Sequence, residues 1–451
     1  MPLLSERIVR LRGNGSTPNY GVGAYSEGVA DDLNRAIWSG IAADPRQSAA
    51  GLVEQYAQYH FHAAAAPAMQ SALLGLEQNW IGDISTNRHI ESTLLSLQAA
   101  ERLTPPDELL TNWRLQMYLY RGYYDAFVQA RFRHEQQCEQ TALNRLARAS
   151  TADPASAIRS ALVQICCVNL VPGCPANHTG TVPRCDLPPA QRAWRERVVQ
   201  LQAMINASVG IEVVQRQTKD LNLVDTPHAN IDNPLNDAAH LAMSLATILQ
   251  LKSTAAQYSA IQFLLNRTDP GPGGFYEDFG DGGPSAHLIA GPGPEKDPAY
   301  YFSPLTQAWP AKHSHGNPPC TTKLAWTRYA SSFYDNPLTM QFEGLDVAAS
   351  YTLQIVYYTS GPLAGVNSSC VETPTCRAPI QLMANEQLLH AYAPAPLPMQ
   401  VLSFPLAQNT TRRGSVRVSC NQEAGQGGDG RACCISEVWL RRRASSRGGG
   451  E

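Results

Sequence analysis

The chain has 451 residues, 43% hydrophobic and 16% charged, and 35 basic against 38 acidic side chains leave a formal net charge of −3. That length suits about three units of roughly 150 residues. The composition excludes a basic nucleic-acid-binding surface, an acidic tail and wholesale disorder, and no apolar run reaches the roughly 18 residues that a membrane span requires.

Residues 1–30 hold two short apolar patches, 7–11 and 20–25, separated by Gly13, Gly15 and Pro18. They read as one or two strands with no sheet to join. Helical spacing follows over 48–61, 68–79 and 87–103, the last with Ile90, Leu94, Leu97 and Ala100 on one face. Pro105-Pro106 opens the clearest element, a long amphipathic helix over 107–149 whose stripe runs through Leu109, Trp113, Met117, Tyr120, Tyr124 and Phe127. After a Pro-, Gly- and Cys-rich loop at 171–189, helical stretches recur over 190–211, 234–251 and 254–266. Residues 31–266 therefore read as an α-helical domain. Residues 267–319, studded with Gly and Pro and lacking a periodic run, read as a connector. The period then changes to two, through Leu338, Met340 and Phe342, then Tyr351, Leu353, Ile355 and Tyr357, then Val416, Val418 and Cys420, and finally 435–440. This pattern predicts an antiparallel β-sandwich over 320–442, followed by a disordered polar tail at 443–451. The predicted fold class is α+β multidomain: a mostly α-helical bundle domain followed by an antiparallel β-sandwich.

Six Asn-x-Ser/Thr triplets, at Asn14, Asn177, Asn206, Asn266, Asn367 and Asn409, are glycosylation candidates. Among eleven cysteines, Cys174 and Cys185 flank a Pro/Gly loop, Cys370 and Cys376 bracket a short segment, and Cys420 precedes Cys433 and Cys434. These seven are disulfide candidates of the kind an oxidising compartment uses as staples. The odd total leaves at least one cysteine outside any disulfide, and Cys138, in a helical pattern, is expected to be buried. No CxxC pair occurs, and His313, His315 and Cys320 lack a fourth ligand, so neither a metal nor a cofactor is expected. The compartment implied is the outside of the cell or an endomembrane lumen. The opening residues carry no charged and apolar leader, so the expectation is that Met1 is an internal methionine of a longer protein.

Several constellations bear on chemistry. Glu27 follows a strand-like run, where a (β/α)8 barrel places its acids and bases. Asp31 or Asp32 is placed to cap the helix that follows. Arg121 and Asp125 form an i, i+4 pair inside the long helix, near Asn112, Arg114 and Tyr123, and either an ion pair or substrate contact accounts for them. Gly122 between them hints at close packing. Tyr276, Glu277, Asp278 and Asp281 form either a calcium-holding cluster or a solvated turn. The rings of Trp326, Tyr329, Phe333, Tyr334, Tyr357, Tyr358 and Trp439 are either sandwich core or stacking surfaces for sugar faces. No GxSxG, HExxH, P-loop or helix-opening GxGxxG is present, which removes support for serine-hydrolase, zincin and nucleotide-dependent readings.

Three stretches, taken together, resemble a group of large multidomain glycoside hydrolases. Ala24-Tyr25-Ser26-Glu27-Gly28, with Asp31-Asp32-Leu33-Asn34 and Trp38-Ser39-Gly40, is similar to the passage leaving their catalytic barrel. Asn112-Trp113-Arg114, with Tyr120-Arg121 and Tyr123-Tyr124-Asp125-Ala126, is similar to their long helix after the barrel. Residues 271–278, with Ser332-Phe333-Tyr334-Asp335 and Ser436-Glu437-Val438-Trp439-Leu440, resemble their connector and terminal galactose-binding-like β module. The resemblance implies a carbohydrate partner and chemistry at glycosidic bonds by a carboxylate pair. It implies a catalytic position at Glu27 and sugar contacts at Tyr25, Arg121, Tyr123 and Asp125. About 30 residues cannot supply an eight-stranded barrel, which takes roughly 250, so the expected role is that of a non-catalytic C-terminal portion with a barrel remnant at 1–30. The alternative is a non-catalytic carbohydrate-binding or adhesion protein.

Overall fold

The computed structural model describes residues 31–165, 188–209, 235–279, 285–289, 299–300, 323–327, 329–333, 337–358, 379–396, 399–424 and 431–443. Within them the change of period from 3.6 to 2 marks the change from helix to strand, and the fold is α+β multidomain, with ten α-helices preceding two antiparallel sheets. The strands expected in 1–30, the loop at 171–187 and the tail from 444 lie outside the described residues. The chain divides into two compact units, one built from described residues of Met1–Arg133 and Leu187–Gln215, the other from those of His134–Asp186 and Asp232–Glu451.

In the first unit, α1 (Asp32–Ala43), α2 (Ala49–His60), α3 (Ala66–Gln78) and α4 (His89–Leu103) pack in succession. Ser48 caps α2 by accepting from the Gly51 N–H at 3.1 Å. The face expected of α4, through Ile90, Leu94, Leu97 and Ala100, is buried. The single helix expected over 107–149 is in fact two, α5 (Pro106–Thr111) and α6 (Trp113–Leu146). The break falls at Asn112, whose Oδ1 accepts from the Leu115 N–H at 3.1 Å and so starts α6. Asn112 Nδ2 donates to the His60 carbonyl at the end of α2 at 2.8 Å. A residue that caps one helix and holds another has left helical geometry, which stripe spacing alone cannot register. α8 (Pro189–Val209) completes this unit.

In the second unit, α7 (Pro154–Ile165), α9 (Ala238–Leu249), α10 (Thr254–Leu265) and the end of α6 share a helical core that includes Leu146, Ile158, Leu245 and Ile261. The sheets follow. β3 (Ala299–Tyr300), β4 (Ala330–Phe333), β11 (Arg431–Arg442), β6 (Tyr351–Tyr357) and β9 (Leu402–Pro405) run side by side, and β1 (Phe275–Asp278) also pairs with β11. The second sheet runs β2 (Leu288–Ile289), β5 (Leu338–Glu343), β10 (Ser415–Gln422), β7 (Pro379–Ala384) and β8 (Gln387–Pro394). One core, with Met340, Phe342 and Val418 from one sheet and Leu353, Ile355 and Leu440 from the other, fills the space between them.

Residues 267–319, read from sequence as a connector, contribute β1, β2 and β3 to the sheets. Strands of two to four residues are too short to show a period, so only pairing reveals them. A bulge in β11 between Ile435 and Glu437 has a further consequence. Cys433 and Ile435 face the core, and after one extra residue Val438 and Leu440 do so. That shift of phase turns Glu437, Trp439 and Arg441 toward the opposite face. Cys420 on β10 and Cys433 on β11 form a disulfide that joins the two sheets through the core. Cys434 is not a partner in it. Among the described residues, no helix is long and apolar enough to cross a membrane.

Candidate functional site

Two of the stretches that carry the glycoside-hydrolase resemblance meet in the first unit. Asp31 occupies the N-cap of α1 without a side-chain capping hydrogen bond, and Asp32 is turned to other partners instead of capping. Arg114, one residue into α6, donates from Nε to Asp32 Oδ2 at 2.6 Å and from Nη2 to Oδ1 at 3.4 Å. Tyr56 of α2 donates its hydroxyl to the same Oδ2 at 2.6 Å and lies 3.3 Å from the Tyr118 hydroxyl. Helical spacing places these groups together, since Arg114 and Tyr118 on α6, and Tyr56 and His60 on α2, are each four residues apart on one face.

Rings surround this ion pair. Tyr56 lies 4.5 Å from His60 and 6.1 Å from Phe61, and Phe61 lies 6.1 Å from Tyr118. Tyr59 meets His60 edge-on at 4.7 Å and is itself 84% exposed. The Arg114 guanidinium rests 4.3 Å over the Trp113 ring. His62 and Glu108 pair nearby at 3.0 Å. The result is a half-buried aromatic patch around one neutralised ion pair.

Its protonation follows from its geometry. Burial raises the Asp32 carboxyl, but the hydrogen bonds from Arg114 and Tyr56 outweigh it and hold Asp32 below the ordinary value. Burial, then Tyr118 and Asp32, push the Tyr56 hydroxyl far up, and burial pushes Tyr118 up to about 12. Burial and the Arg114 charge lower His60. At neutral pH the site therefore holds a carboxylate, a guanidinium, two protonated phenols and a neutral imidazole. Among these described groups it offers hydrogen bonds and ring faces around an ionised Asp32.

The residues singled out from the sequence are distributed otherwise. Arg121 Nε lies 2.8 Å from Asp125 Oδ1, and its guanidinium sits over Trp80 at 4.4 Å and Tyr124 at 5.4 Å. Asp125 is fully buried and accepts from Asn79 Nδ2 at 2.9 Å, while Thr93 Oγ1 donates to Asn79 Oδ1 at 3.2 Å. Burial pushes the Asp125 carboxyl up against the pull of Arg121 and Asn79. Tyr123 points elsewhere, donating to Glu101 Oε2 at 3.3 Å, and Glu101 also pairs with Arg197 of α8. Asn206, Asn266 and Asn409 are exposed. Glu27, Tyr25, Cys174, Cys185, Cys370, Cys376, Asn14, Asn177 and Asn367 lie outside the described residues. Neither Tyr56 nor Tyr118 stood out in the sequence, but Asp32 and Arg114 each lie in a quoted stretch, and pairing those two stretches was the available signal.

The third quoted stretch builds a second polar cluster, in the β-sandwich. Glu437 is fully buried and pairs with Arg267. It also accepts from the Tyr276 hydroxyl at 2.7 Å and from Trp326 Nε1 at 2.6 Å. Trp439 Nε1 and Arg441 Nη2 donate to the Arg267 carbonyl at 2.9 and 3.0 Å. A buried carboxylate needs such partners, and here they fasten residues 267–278 onto β11. The rings of Trp439, Tyr357 and Tyr329 are buried, and Tyr329 stacks on Tyr358 at 4.1 Å. Glu277 pairs with His287 and accepts from Ser285 Oγ at 2.9 Å. Among the described residues, no group of three or more His, Cys, Asp or Glu is placed to hold a metal ion.

No protein-family model matches the chain, and no curated protein matches it. Among solved structures it is similar to a family GH115 4-O-methyl-alpha-glucuronidase with specificity for decorated arabinogalactans, at 9% identity and a TM-score of 0.22. That similarity covers 90% of this chain and 43% of the other, so the chain spans less than half of that structure's length.

Proposed function

We propose that this chain is a carbohydrate-binding, glycoside-hydrolase-related protein whose described residues hold a sugar without cleaving it, and that it works in an oxidising lumen or outside the cell. The observation that carries the reading is the patch in which Asp32 and Arg114, from two separate quoted stretches, are joined inside a ring cluster that leaves Tyr59 open. Exposed ring faces suit the apolar CH faces of sugars, and flanking phenol and imidazole groups suit their hydroxyls. Asp32, held ionised by two donors, serves to orient Arg114 and Tyr56. The inter-sheet disulfide is compatible with the compartment.

The runner-up reading places sugar binding on the rings of the β-sandwich. It is less favoured because Trp439 is buried and Trp326 is committed to Glu437. Titration of the chain with a panel of neutral and acidic oligosaccharides, followed by calorimetry, separates the two. Tyr59→Ala is expected to abolish binding at an unchanged melting temperature, because that ring supports no core, and Arg114→Leu to weaken it. Absence of binding to every glycan, or binding indifferent to both substitutions, would refute the assignment.

A further inference from the structure

Asn409 differs from the other described acceptor triplets in what lies beside it. It sits in a 3-10 turn, Gln408–Thr410, directly after β9 and is exposed, while Thr410 and Thr411 are buried. The turn is fastened to the β7–β8 hairpin. Asn385 Nδ2 donates to the Thr410 carbonyl at 2.7 Å, and Gln387 Oε1 accepts from the Ala407 N–H at 2.9 Å and from Thr410 Oγ1 at 2.7 Å. Gln387 opens β8, which among the described residues lies at an edge of one sheet, and β9 lies at an edge of the other. Along these two strands, Leu388 beside Gln387 is 51% exposed, Tyr392 further up β8 is 44% exposed, and Val401, just before β9, is 41% exposed. Two edge strands that carry exposed apolar side chains make a template for association with a second chain.

We infer that Asn409 carries an N-linked glycan that covers this apolar edge of the sandwich. The inference rests on the proposal that the chain enters an oxidising lumen. In the transfer, the anomeric carbon of an oligosaccharide borne on a polyprenyl pyrophosphate forms a bond to Asn409 Nδ2. The bond from that carbon to the pyrophosphate oxygen breaks, the amide gives up one proton, and the polyprenyl pyrophosphate leaves. Because Thr411 of the acceptor triplet is buried in the fold, transfer precedes folding. The exposed position of Asn409 then lets the folded sandwich keep the glycan. Asn266, by contrast, donates its Nδ2 to the Gln262 carbonyl at 2.9 Å, closing α10, and Asn206 lies within α8.

The test expresses the full chain behind a secretory leader in eukaryotic cells, so that entry into the lumen is imposed and the result bears on Asn409 alone. Wild type, Asn409→Gln and Asn206→Gln are compared by glycopeptide mapping and by light scattering during incubation below the melting temperature. The expected result is a glycan on the Asn409 peptide, and faster aggregation of Asn409→Gln than of Asn206→Gln at equal melting temperatures. Enzymatic removal of the glycan from folded wild type is expected to reproduce that aggregation. A bare Asn409 in the secreted protein overturns the inference, as does an Asn409→Gln variant that loses its glycan and aggregates no faster. The oligosaccharide titration described above stands apart from both outcomes.

Discussion

Gly122 tests how closely α4 and α6 approach. A Cβ at this position would come within 2.1 Å of Leu97 Cδ1 and 3.9 Å of Leu94 Cδ1, and Leu97 is fully buried. Carbon atoms pack at about 3.5–4.0 Å, so Leu97 would have to retreat by roughly 1.5 Å into a filled core. Two effects of opposite sign compete in Gly122→Ala. Replacing Gly by Ala in a helix interior gains about 1 kcal/mol, and forcing an extra carbon into a packed core costs about 1–3 kcal/mol. The clash is expected to win, leaving the first unit less stable by about 1 kcal/mol. In a Leu97→Ala background, itself costing about 2–5 kcal/mol, the obstacle is gone and the same substitution should stabilise by about 1 kcal/mol. The coupling between the two sites is then about 2 kcal/mol. Urea unfolding of the four proteins, followed by circular dichroism, measures it. Stabilisation by Gly122→Ala alone, or an equal effect in both backgrounds, would refute the reasoning.

Three further outcomes are expected. Glu139 is pushed up to about 8 by burial, then by the charges of Asp237 and Glu135. A raised carboxyl contributes stability that is full below the unfolded value of 4.5 and lost as pH rises through about 8. Thermal unfolding should therefore show the second unit weakening over that window by up to roughly 1.4 kcal/mol per pH unit, and Glu139→Gln should flatten the slope; an unchanged slope contradicts the account. Trp439→Ala, which removes a buried ring donating to the Arg267 carbonyl at 2.9 Å, should destabilise the sandwich by about 3–5 kcal/mol without altering the sugar binding proposed for the Asp32–Arg114 patch, as calorimetry on the folded variant would read. Cys420 and Cys433 are 13 residues apart, so replacing both by Ala should cost about 3 kcal/mol in chemical unfolding of the second unit, and a variant as stable as wild type would show that the bridge constrains nothing.

Much of the architecture was legible in periodicity. The stripe Ile90, Leu94, Leu97 and Ala100 became the buried face of α4, and the alternation at Leu338, Met340 and Phe342 became the inward face of β5. These patterns are local, because one buried face imposes its period on the residues that build it. The break at Asn112 was not legible, because the stripe runs on past it, and the local cap on Leu115 is joined by a hydrogen bond to the His60 carbonyl, 52 residues away, that no sequence pattern shows. Nor were β1, β2 and β3, which exist only through their partners on β11, β5 and β4.

The candidate site divides the same way. Asp32 and Arg114 were present in quoted stretches, yet Asp32 read as a helix cap, since a sequence shows an Asp before a helix and not the guanidinium that reaches it from 82 positions on. Glu437 carried no sign of burial, because the bulge that turns it to the face met by Arg267, Tyr276 and Trp326 is a property of strand register. What the sequence determined by itself was the order of helix and strand and the faces that would be buried, because hydrophobic burial acts through residues a turn or a pleat apart. What only the tertiary structure decided was which charges meet, since Coulomb and hydrogen-bond partners are chosen by distance in space, and the chain's own numbering says nothing of that distance.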